Sequence, residues 1–472
     1  MYDPKSRRAE EFIAHEEVLA SLEYAEANKN NRTLIKDILD KAKECRGLNH
    51  REASVLLASS DPEIEAEIFA LAEQIKKDFY GNRIVIFAPL YLSNYCVNGC
   101  VYCPYHLKNK HIARKKLTQE EIVREVTALQ DMGHKRLALE AGEDPVHNPL
   151  EYILECIQTI YGIKHKNGAI RRVNVNIAAT TVDNYRRLKD AGIGTYILFQ
   201  ETYNKGSYET LHPTGPKHNY AYHTEAMDRA MEGGIDDVGL GVLFGLEGYR
   251  YEFAAQLMHA EHLEAVFGVG PHTISMPRIK HADDIDPNAF QHGINDDIFA
   301  KICACIRLAV PYTGMIISTR ESQKVRERLL HLGISQISGA SRTSVGGYAE
   351  KESAENNSAQ FDVSDQRSLD EVVRWLMELG YVPSFCTACY REGRTGDRFM
   401  ELCKKKQILN CCHPNALLTL KEYLQDYASP ETKLLGEKMI QEQLPLIPKD
   451  KVRQIAIERL EKIAQGQRDF RF

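Results

Sequence analysis

The sequence predicts an α/β fold in which a (β/α)8 barrel follows N-terminal helices and precedes a mostly helical C-terminal domain. Eight short apolar segments alternate with amphipathic helical segments between about residues 81 and 350. The flanking stretches lack this alternation, and 472 residues exceed what one ordinary core needs. We therefore expect an N-terminal helical segment over 1–80, the barrel over 81–350 and the C-terminal domain over 351–472.

The strand candidates are apolar runs at 83–90, 136–140, 172–177, 195–199, 237–243, 271–275, 314–318 and 334–337. The segments between them, such as 120–132 and 182–191, repeat apolar residues at the 3.6-residue period of a helix. In such a barrel the chemistry lies at the carboxyl ends of the strands. The residues that follow each strand are therefore the first candidates for a site.

The segments outside the barrel are predicted from their charge pattern and their caps. Helices are expected over 10–28 and 32–46, and a third is expected to begin at Asp61-Pro62 and to reach Phe79. The stretch 350–367 is polar and acidic, which predicts a linker or a surface loop.

The composition excludes several classes of protein. A net charge of −6 gives no basic footprint for nucleic acid. No run of about 18 apolar residues predicts a membrane helix, and the first residues lack the apolar core of a signal peptide. We therefore expect a cytoplasmic protein without a membrane or nucleic-acid partner, in which twelve cysteines indicate cofactors rather than disulfides.

The cysteines divide into two spaced groups and a remainder. The remainder is expected to be ordinary buried residues: Cys45, Cys156, Cys303, Cys305, Cys403 and Cys411. The first group, Cys96, Cys100 and Cys103, forms a CxxxCxxC loop directly after the first strand candidate. Three thiolates hold three corners of a [4Fe–4S] cluster and leave the fourth iron open to a substrate. A zinc knuckle is the alternative, but a structural zinc ion needs four ligands.

The second group, Cys386, Cys389 and Cys412, has the spacing CxxC-x22-C in the C-terminal domain. It again offers three thiolates and predicts a second iron–sulfur cluster with an open iron. A redox-active dithiol and a zinc site completed by His413 are the alternatives.

Polar residues at the strand ends suggest a binding site for an amino acid. Arg320 follows the seventh strand candidate and offers a planar fork suited to a carboxylate. Asn176, near the end of the third candidate, could either bind a ligand or satisfy polar groups of the barrel. Arg229, on a predicted helix, could equally be part of a solvated face.

Several motifs resemble those of the radical S-adenosylmethionine (SAM) tyrosine lyases over nearly the whole chain. They are CVNGCVYC at 96–103, NHREA at 49–53, FYGN at 79–82, FQET at 199–202, ISMPR at 274–278 and SVGGY at 344–348. This family includes the 2-iminoacetate synthases of thiamine biosynthesis and a branch of [FeFe]-hydrogenase maturases. The CxxC-x22-C tail resembles the maturase branch.

The resemblance implies a reaction and its cofactors. SAM on the first cluster would supply a radical that cleaves L-tyrosine between Cα and Cβ, giving p-cresol and dehydroglycine. Dehydroglycine would yield CO and cyanide at the second [4Fe–4S] cluster, which a fifth, labile iron extends, for assembly of the hydrogenase H-cluster. L-Cysteine as an iron ligand, a reductant such as flavodoxin or ferredoxin, and other hydrogenase maturation proteins are the implied partners. The alternatives are a 2-iminoacetate synthase and a non-catalytic iron–sulfur carrier or scaffold.

The resemblance also implies site residues. SAM is expected to contact Tyr102, Gly142, Glu143, Asn176, Glu201, Arg229 and Arg278. The substrate tyrosine is expected to contact Ser318, Arg320 and Ser341. A neutral imidazole suits iron, and His272 is the first choice for the labile iron, with His262 second.

Overall fold

The computed structural model describes residues 1–350, 357–404 and 410–472 of the chain. Eight parallel strands close into a barrel, as predicted, because the first strand pairs with both the second and the eighth. They are β1 (Arg83–Ser93), β2 (Arg136–Ala141), β3 (Arg172–Asn176), β4 (Tyr196–Ile197), β5 (Val238–Gly241), β6 (Thr273–Ser275), β7 (Gly314–Ile317) and β8 (Gln336–Ser338). A short antiparallel hairpin precedes β3, and its two strands are Lys164–His165 and Gly168–Ala169.

Twenty α-helices occur among the described residues. Before the barrel come α1 (Ala9–Phe12), α2 (His15–Asn28), α3 (Arg32–Lys43), α4 (His50–Ala58) and α5 (Pro62–Tyr80). Around the barrel lie α6 (Gln119–Met132), α7 (Leu150–Gly162), α8 (Val182–Asp190), α9 (Lys205–Leu211), α10 (Tyr220–Thr224), α11 (Ala226–Glu232), α12 (Tyr249–Phe267), α13 (Asp296–Ala309) and α14 (Gln323–Leu332). The C-terminal part contains α15 (Leu369–Glu378), α16 (Ala388–Arg391), α17 (Gly396–Lys404), α18 (Cys412–Asp426), α19 (Pro430–Gln443) and α20 (Asp450–Ala464).

The N-terminal helices follow local capping signals. The Asp61 side chain accepts a hydrogen bond from the Glu63 amide and Pro62 begins α5, as the sequence predicts. Helix α4 was not among the predicted helices, although Asn49 and Glu52 form a reciprocal capping box at its start. Helices α4 and α5 pack against α12, α13 and α14 on the outside of the barrel.

A ninth strand, β9 (Val382–Ser384), pairs in parallel with the first three residues of β1. On this edge of β1, residues 83–85 pair with β9, and the residues from Ala88 onward pair with β2. The C-terminal helices are therefore attached at the amino-terminal end of the barrel strands, opposite the loop that carries Cys96.

The described part of the predicted linker, residues 357–367, differs from the prediction of a surface loop. Ser358, Phe361 and Asp365 are buried, and the amides of Ser364 and Asp365 donate to the Thr319 carbonyl after β7. The segment therefore lies over the carboxyl-terminal mouth of the barrel. Among the described residues no helix is long and apolar enough to cross a membrane.

Candidate active site

The first cysteine group lies at the carboxyl-terminal mouth, where Cys96, Cys100 and Cys103 line one cavity of about 160 Å³. The loop is held against the exit of β2, because the Val97 amide donates to the Glu143 carbonyl at 2.8 Å. A Cβ atom on Gly142 would lie 2.3 Å from the Tyr95 carbonyl oxygen, so this close approach requires glycine. We call this space the upper cavity.

The three thiols of the upper cavity are in surroundings that oppose a bare thiolate. Burial raises the pKa of Cys96 and Cys103, and it raises the pKa of Cys100 to about 11. A positively charged metal centre removes that penalty, because a coordinated thiol is deprotonated. In the described part of the chain no three His, Cys, Asp or Glu side chains converge on a single metal ion. Three thiols around one cavity fit the larger [4Fe–4S] cluster.

Five of the seven residues predicted to bind SAM also line the upper cavity. They are Tyr102, Gly142, Glu143, Asn176 and Glu201. The Glu143 carboxylate accepts a hydrogen bond from Asn98 at 2.6 Å, which ties it to the cysteine loop. Tyr102 donates to Nε2 of His212 at 2.7 Å, because Nδ1 of that ring faces the Tyr208 carbonyl.

Arg229 and Arg278 do not line this cavity. The Arg229 guanidinium donates to the carbonyls of Thr180 and Tyr222 and stacks on the Tyr222 ring. Arg278 is buried in an ion pair with Glu321, where Nε lies 2.9 Å from Oε1. Both guanidinium groups thus already have partners within the protein. Their contacts with SAM stay predictions.

A second cavity of about 90 Å³ continues inward along the barrel axis. Ser318 and Arg320 line it, and Arg320 also lines the upper cavity. The Arg320 guanidinium stacks on Phe361 at 3.9 Å, and its Nε has no hydrogen-bond partner. Ser341 is buried with an unpartnered hydroxyl but is not in the lining of either cavity. We call this space the middle cavity.

The second cysteine group lies at the other end of the barrel. Cys386, Cys389 and Cys412 line a cavity of about 60 Å³ together with residues at or directly before the start of the barrel strands: Arg83, Arg136, Arg172, His272 and Gln336. Burial raises the pKa of Cys386. The neighbouring thiols of Cys389 and Cys411 stabilise the thiolate of Cys412 and lower its pKa. We call this space the lower cavity.

Among the predicted ligands for iron, His272 lines the lower cavity and His262 does not. Nδ1 of His272 lies 3.2 Å from Oδ1 of Asp237, and Nε2 lies 3.1 Å from the Tyr390 hydroxyl. His262 instead contacts Asp228 on the outside of the barrel and stacks on Phe12.

His413 and Cys411 differ in their relation to the second cysteine group. His413 is directed to the Gln443 carbonyl and is not part of the lower cavity, which disfavours a zinc site completed by this residue. Cys411, predicted to be an ordinary buried residue, has its Sγ 3.8 Å from that of Cys412.

Comparisons with known proteins match two parts of the chain to described families. Residues 90–259 match the radical SAM superfamily, and residues 275–382 match the biotin and thiamin synthesis associated domain. A crystal structure described as HydG, a maturase of the [FeFe]-hydrogenase, is 56% identical with a TM-score of 0.95, covering 98% of this chain and 100% of that one. HydG from Carboxydothermus hydrogenoformans is 39% identical with a TM-score of 0.83, covering 96% and 99%.

The chain belongs to the HydG family of [FeFe]-hydrogenase maturases. It is therefore a radical SAM enzyme, as the cysteine loop predicts. The 2-iminoacetate synthase of Escherichia coli (strain K12) is 28% identical over 73% of this chain and 89% of its own length.

The HydG fold also brings together cavity residues for which the sequence predicts no role. Lys217 is one, and its Nζ lies 2.9 Å from Oε1 of Glu201. Glu201 has a φ of +69°, which is uncommon for a residue other than glycine and marks a constrained position. Gln360 and Phe361, in the segment read as a linker, are two more. A single aromatic residue within the polar stretch 357–367 was the only local signal for them.

In the lower cavity of this HydG family member, sequence reasoning missed Tyr390 and its neighbours. The Arg172 guanidinium lies 3.3 Å from the centre of the Tyr390 ring, and the Arg136 guanidinium donates to the Cys386 carbonyl. Both arginines begin barrel strands, and they were read only as parts of apolar runs. Their position at the amino-terminal end of the barrel became relevant only once β9 placed the cysteines there.

Proposed function

We propose that this enzyme cleaves L-tyrosine to p-cresol and dehydroglycine at the upper end of the barrel and converts dehydroglycine to CO and cyanide at the lower end. The observation that carries the proposal is the presence of two cysteine groups at opposite ends of one barrel with cavities in series between them. The upper and middle cavities share Glu140, Asn176, Arg320 and Phe361 among their lining residues. On β1, Phe87 lines the middle cavity, and Val85, the next residue on the same face towards the amino terminus, lines the lower cavity.

In this proposal the cleavage of tyrosine takes place in the upper cavity. A [4Fe–4S] cluster and SAM, when bound at Cys96, Cys100 and Cys103, supply the radical that removes a hydrogen atom from the amino group of tyrosine. Arg320 binds the substrate carboxylate through its planar fork, and Phe361 holds the guanidinium in place. The 357–367 segment over the mouth excludes water from the reacting atoms.

The lower cavity provides the second reaction. Cys386, Cys389 and Cys412 would hold the second [4Fe–4S] cluster, and His272 would bind the labile iron on which CO and cyanide are collected. L-Cysteine completes the coordination of that iron. The product is handed to other hydrogenase maturation proteins for H-cluster assembly. A flavodoxin or ferredoxin supplies the electrons, in the cytoplasm of a cell without oxygen.

The experiment that tests this function is anaerobic turnover of the reconstituted protein with SAM, a reductant and L-tyrosine. p-Cresol is measured by chromatography, and CO is trapped with deoxyhaemoglobin. Formation of both products supports the proposal. p-Cresol without CO favours a 2-iminoacetate synthase, and absence of 5′-deoxyadenosine favours a cluster carrier.

Cys412→Ser tests the division of labour between the two ends. Serine is a poor ligand for iron–sulfur clusters, so CO formation should fall by at least tenfold while p-cresol formation stays within about twofold. Cys305→Ser, at a buried cysteine on α13 outside all three cavities, is the matched control and should retain both products. Normal CO formation by the Cys412 variant would contradict the role of the lower site.

A further inference from the structure

Glu140 is a partly buried residue at the carboxyl end of β2, and its carboxylate lines both the upper and the middle cavity. Its Oε2 accepts one hydrogen bond, from Nδ2 of Asn176 at 2.7 Å. Among the described residues it forms no ion pair. A buried carboxylate without a cation is costly, and such a group at a cavity is a candidate for binding a ligand.

Arg320 is the complementary group in the same two cavities. Its Nη1 donates to the Arg278 carbonyl at 3.3 Å, its Nε has no acceptor, and it forms no ion pair with the described residues. The two side chains are close enough for Arg320 to act on the charge of Glu140. An anion and a cation, both partly buried and without an ion-pair partner among the described residues, thus face one space where the upper and middle cavities meet.

We propose that Glu140 binds the α-ammonium group of the substrate while Arg320 binds its carboxylate, so that the pair recognises an α-amino acid zwitterion. This inference rests on the proposed cleavage of L-tyrosine and adds a residue that contacts the reacting nitrogen. Each buried charge receives its missing partner from the ligand, which offsets the cost of keeping both in a closed site. Asn176 fixes the orientation of the carboxylate from the neighbouring strand.

The electrostatic setting of Glu140 suits contact with an amine. Burial raises its pKa to about 8, against the lowering effects of Asn176 and Arg320. One proton can then pass from the ammonium nitrogen to a carboxylate oxygen, which leaves a neutral amine and a neutral carboxyl group.

The test is equilibrium dialysis of the reconstituted holoprotein against three ligands. L-Tyrosine carries both charged groups, tyramine lacks the carboxylate, and 3-(4-hydroxyphenyl)propionate lacks the amine. Glu140→Gln should raise the Kd of tyrosine and tyramine at least tenfold and leave that of the propionate within about twofold. Arg320→Lys should weaken tyrosine and the propionate and leave tyramine nearly unchanged.

The controls separate this inference from folding, from SAM binding and from the proposed reaction. Glu125→Gln changes a buried carboxylate outside the cavities, on α6, and should leave all three dissociation constants unchanged. Iron content and SAM affinity report the fold, and Glu140→Asp, which retains the charge, should recover tyrosine affinity over Glu140→Gln. Equal loss for all three ligands, no loss for any, or a loss of SAM affinity alone would overturn the assignment. If wild-type protein binds tyrosine but forms no p-cresol, the proposed reaction fails while the ligand pattern still decides the role of Glu140.

Discussion

The two ring nitrogens of His272 have different neighbours: Nδ1 lies 3.2 Å from the Asp237 carboxylate, and Nε2 lies 3.1 Å from the Tyr390 hydroxyl. A carboxylate at one ring nitrogen fixes the tautomer of a histidine and increases the basicity of the other nitrogen. In our proposal Nε2, which contacts the Tyr390 hydroxyl, would be the iron-binding atom.

Asp237→Asn should weaken iron binding by about 10- to 100-fold, because the amide orients the imidazole less strongly. CO formation should fall accordingly, while p-cresol formation stays unchanged. The iron retained after treatment with a mild chelator gives a measurement independent of turnover. Asp236→Asn, at the adjacent exposed aspartate that pairs with Lys189, is the matched control. Equal iron retention by both variants would remove Asp237 from this role.

A functional residue could be predicted from the sequence where its partners lie close to it along the chain. Both cysteine groups could be read from spacing: the first lies within eight residues, and the second combines the CxxC pair Cys386 and Cys389 with Cys412, which begins α18 after 22 intervening residues. Glu140 and Lys217 could not, because each acquires its role from a partner on a different element, Asn176 or Glu201. Charged residues next to apolar strands are common, and only closure of the barrel shows which of them face inward.

At the scale of elements, the segment 357–367 is a cover for the barrel mouth. Its polar composition is that of a linker, but Phe361 reaches inward to the Arg320 guanidinium and Gln360 accepts a hydrogen bond from Tyr91 at 2.8 Å. These two contacts attach the segment to both the seventh and the first strand of the barrel.

Phe361→Ala should raise the Kd of tyrosine by about 3- to 30-fold, the range expected for loss of a buried cation–π contact. The affinity for SAM should change less, because Arg320 and not the cysteine loop loses its support. Asp362→Ala, at the exposed neighbour of Phe361, is the control. The same dialysis measurement applies, and an unchanged affinity for tyrosine would show that the segment does not order Arg320.

The barrel strands were predicted within a few residues of their observed ends because each is an apolar run between turns. β4 is shorter than its candidate 195–199, since ladder pairing with β3 and β5 is limited to Tyr196 and Ile197. β9 was not predicted, because three residues carry no detectable period and its pairing with β1 spans about 300 residues of sequence. Non-local pairings of this kind are the part of a fold that sequence patterns do not report.

At the scale of the whole molecule, several histidines are buried in the neutral form. Burial lowers the pKa of His134, His212 and His259 to about 3 in each case. In the unfolded chain a histidine titrates near pH 6.5. Below that pH these histidines bind protons in the unfolded state but stay neutral in the folded state. The free energy of unfolding therefore decreases as the pH falls from about 6.5 towards 3.

His134→Leu should remove part of this acid sensitivity. The His134 ring is almost fully buried, and neither of its nitrogens has a hydrogen-bond partner. Between pH 7 and pH 5 the wild-type histidine costs about 2 kcal/mol, which the leucine variant avoids. The fall in Tm between these two pH values should therefore be smaller in the variant than in the wild type. His111→Leu, at an exposed histidine, should leave the fall unchanged, and an identical fall in all three proteins would refute the account.

The strand β1 carries the first cysteine loop at one end and pairs with β9, which leads into the second cysteine group, at the other. From Val85, the last partner of β9, to Ser93 it advances by about 26 Å at about 3.3 Å per residue. In our proposal the two reaction centres are therefore separated by about the length of this strand. Transfer between the centres, as we propose it, passes through the interior of the barrel, where the three cavities lie in series.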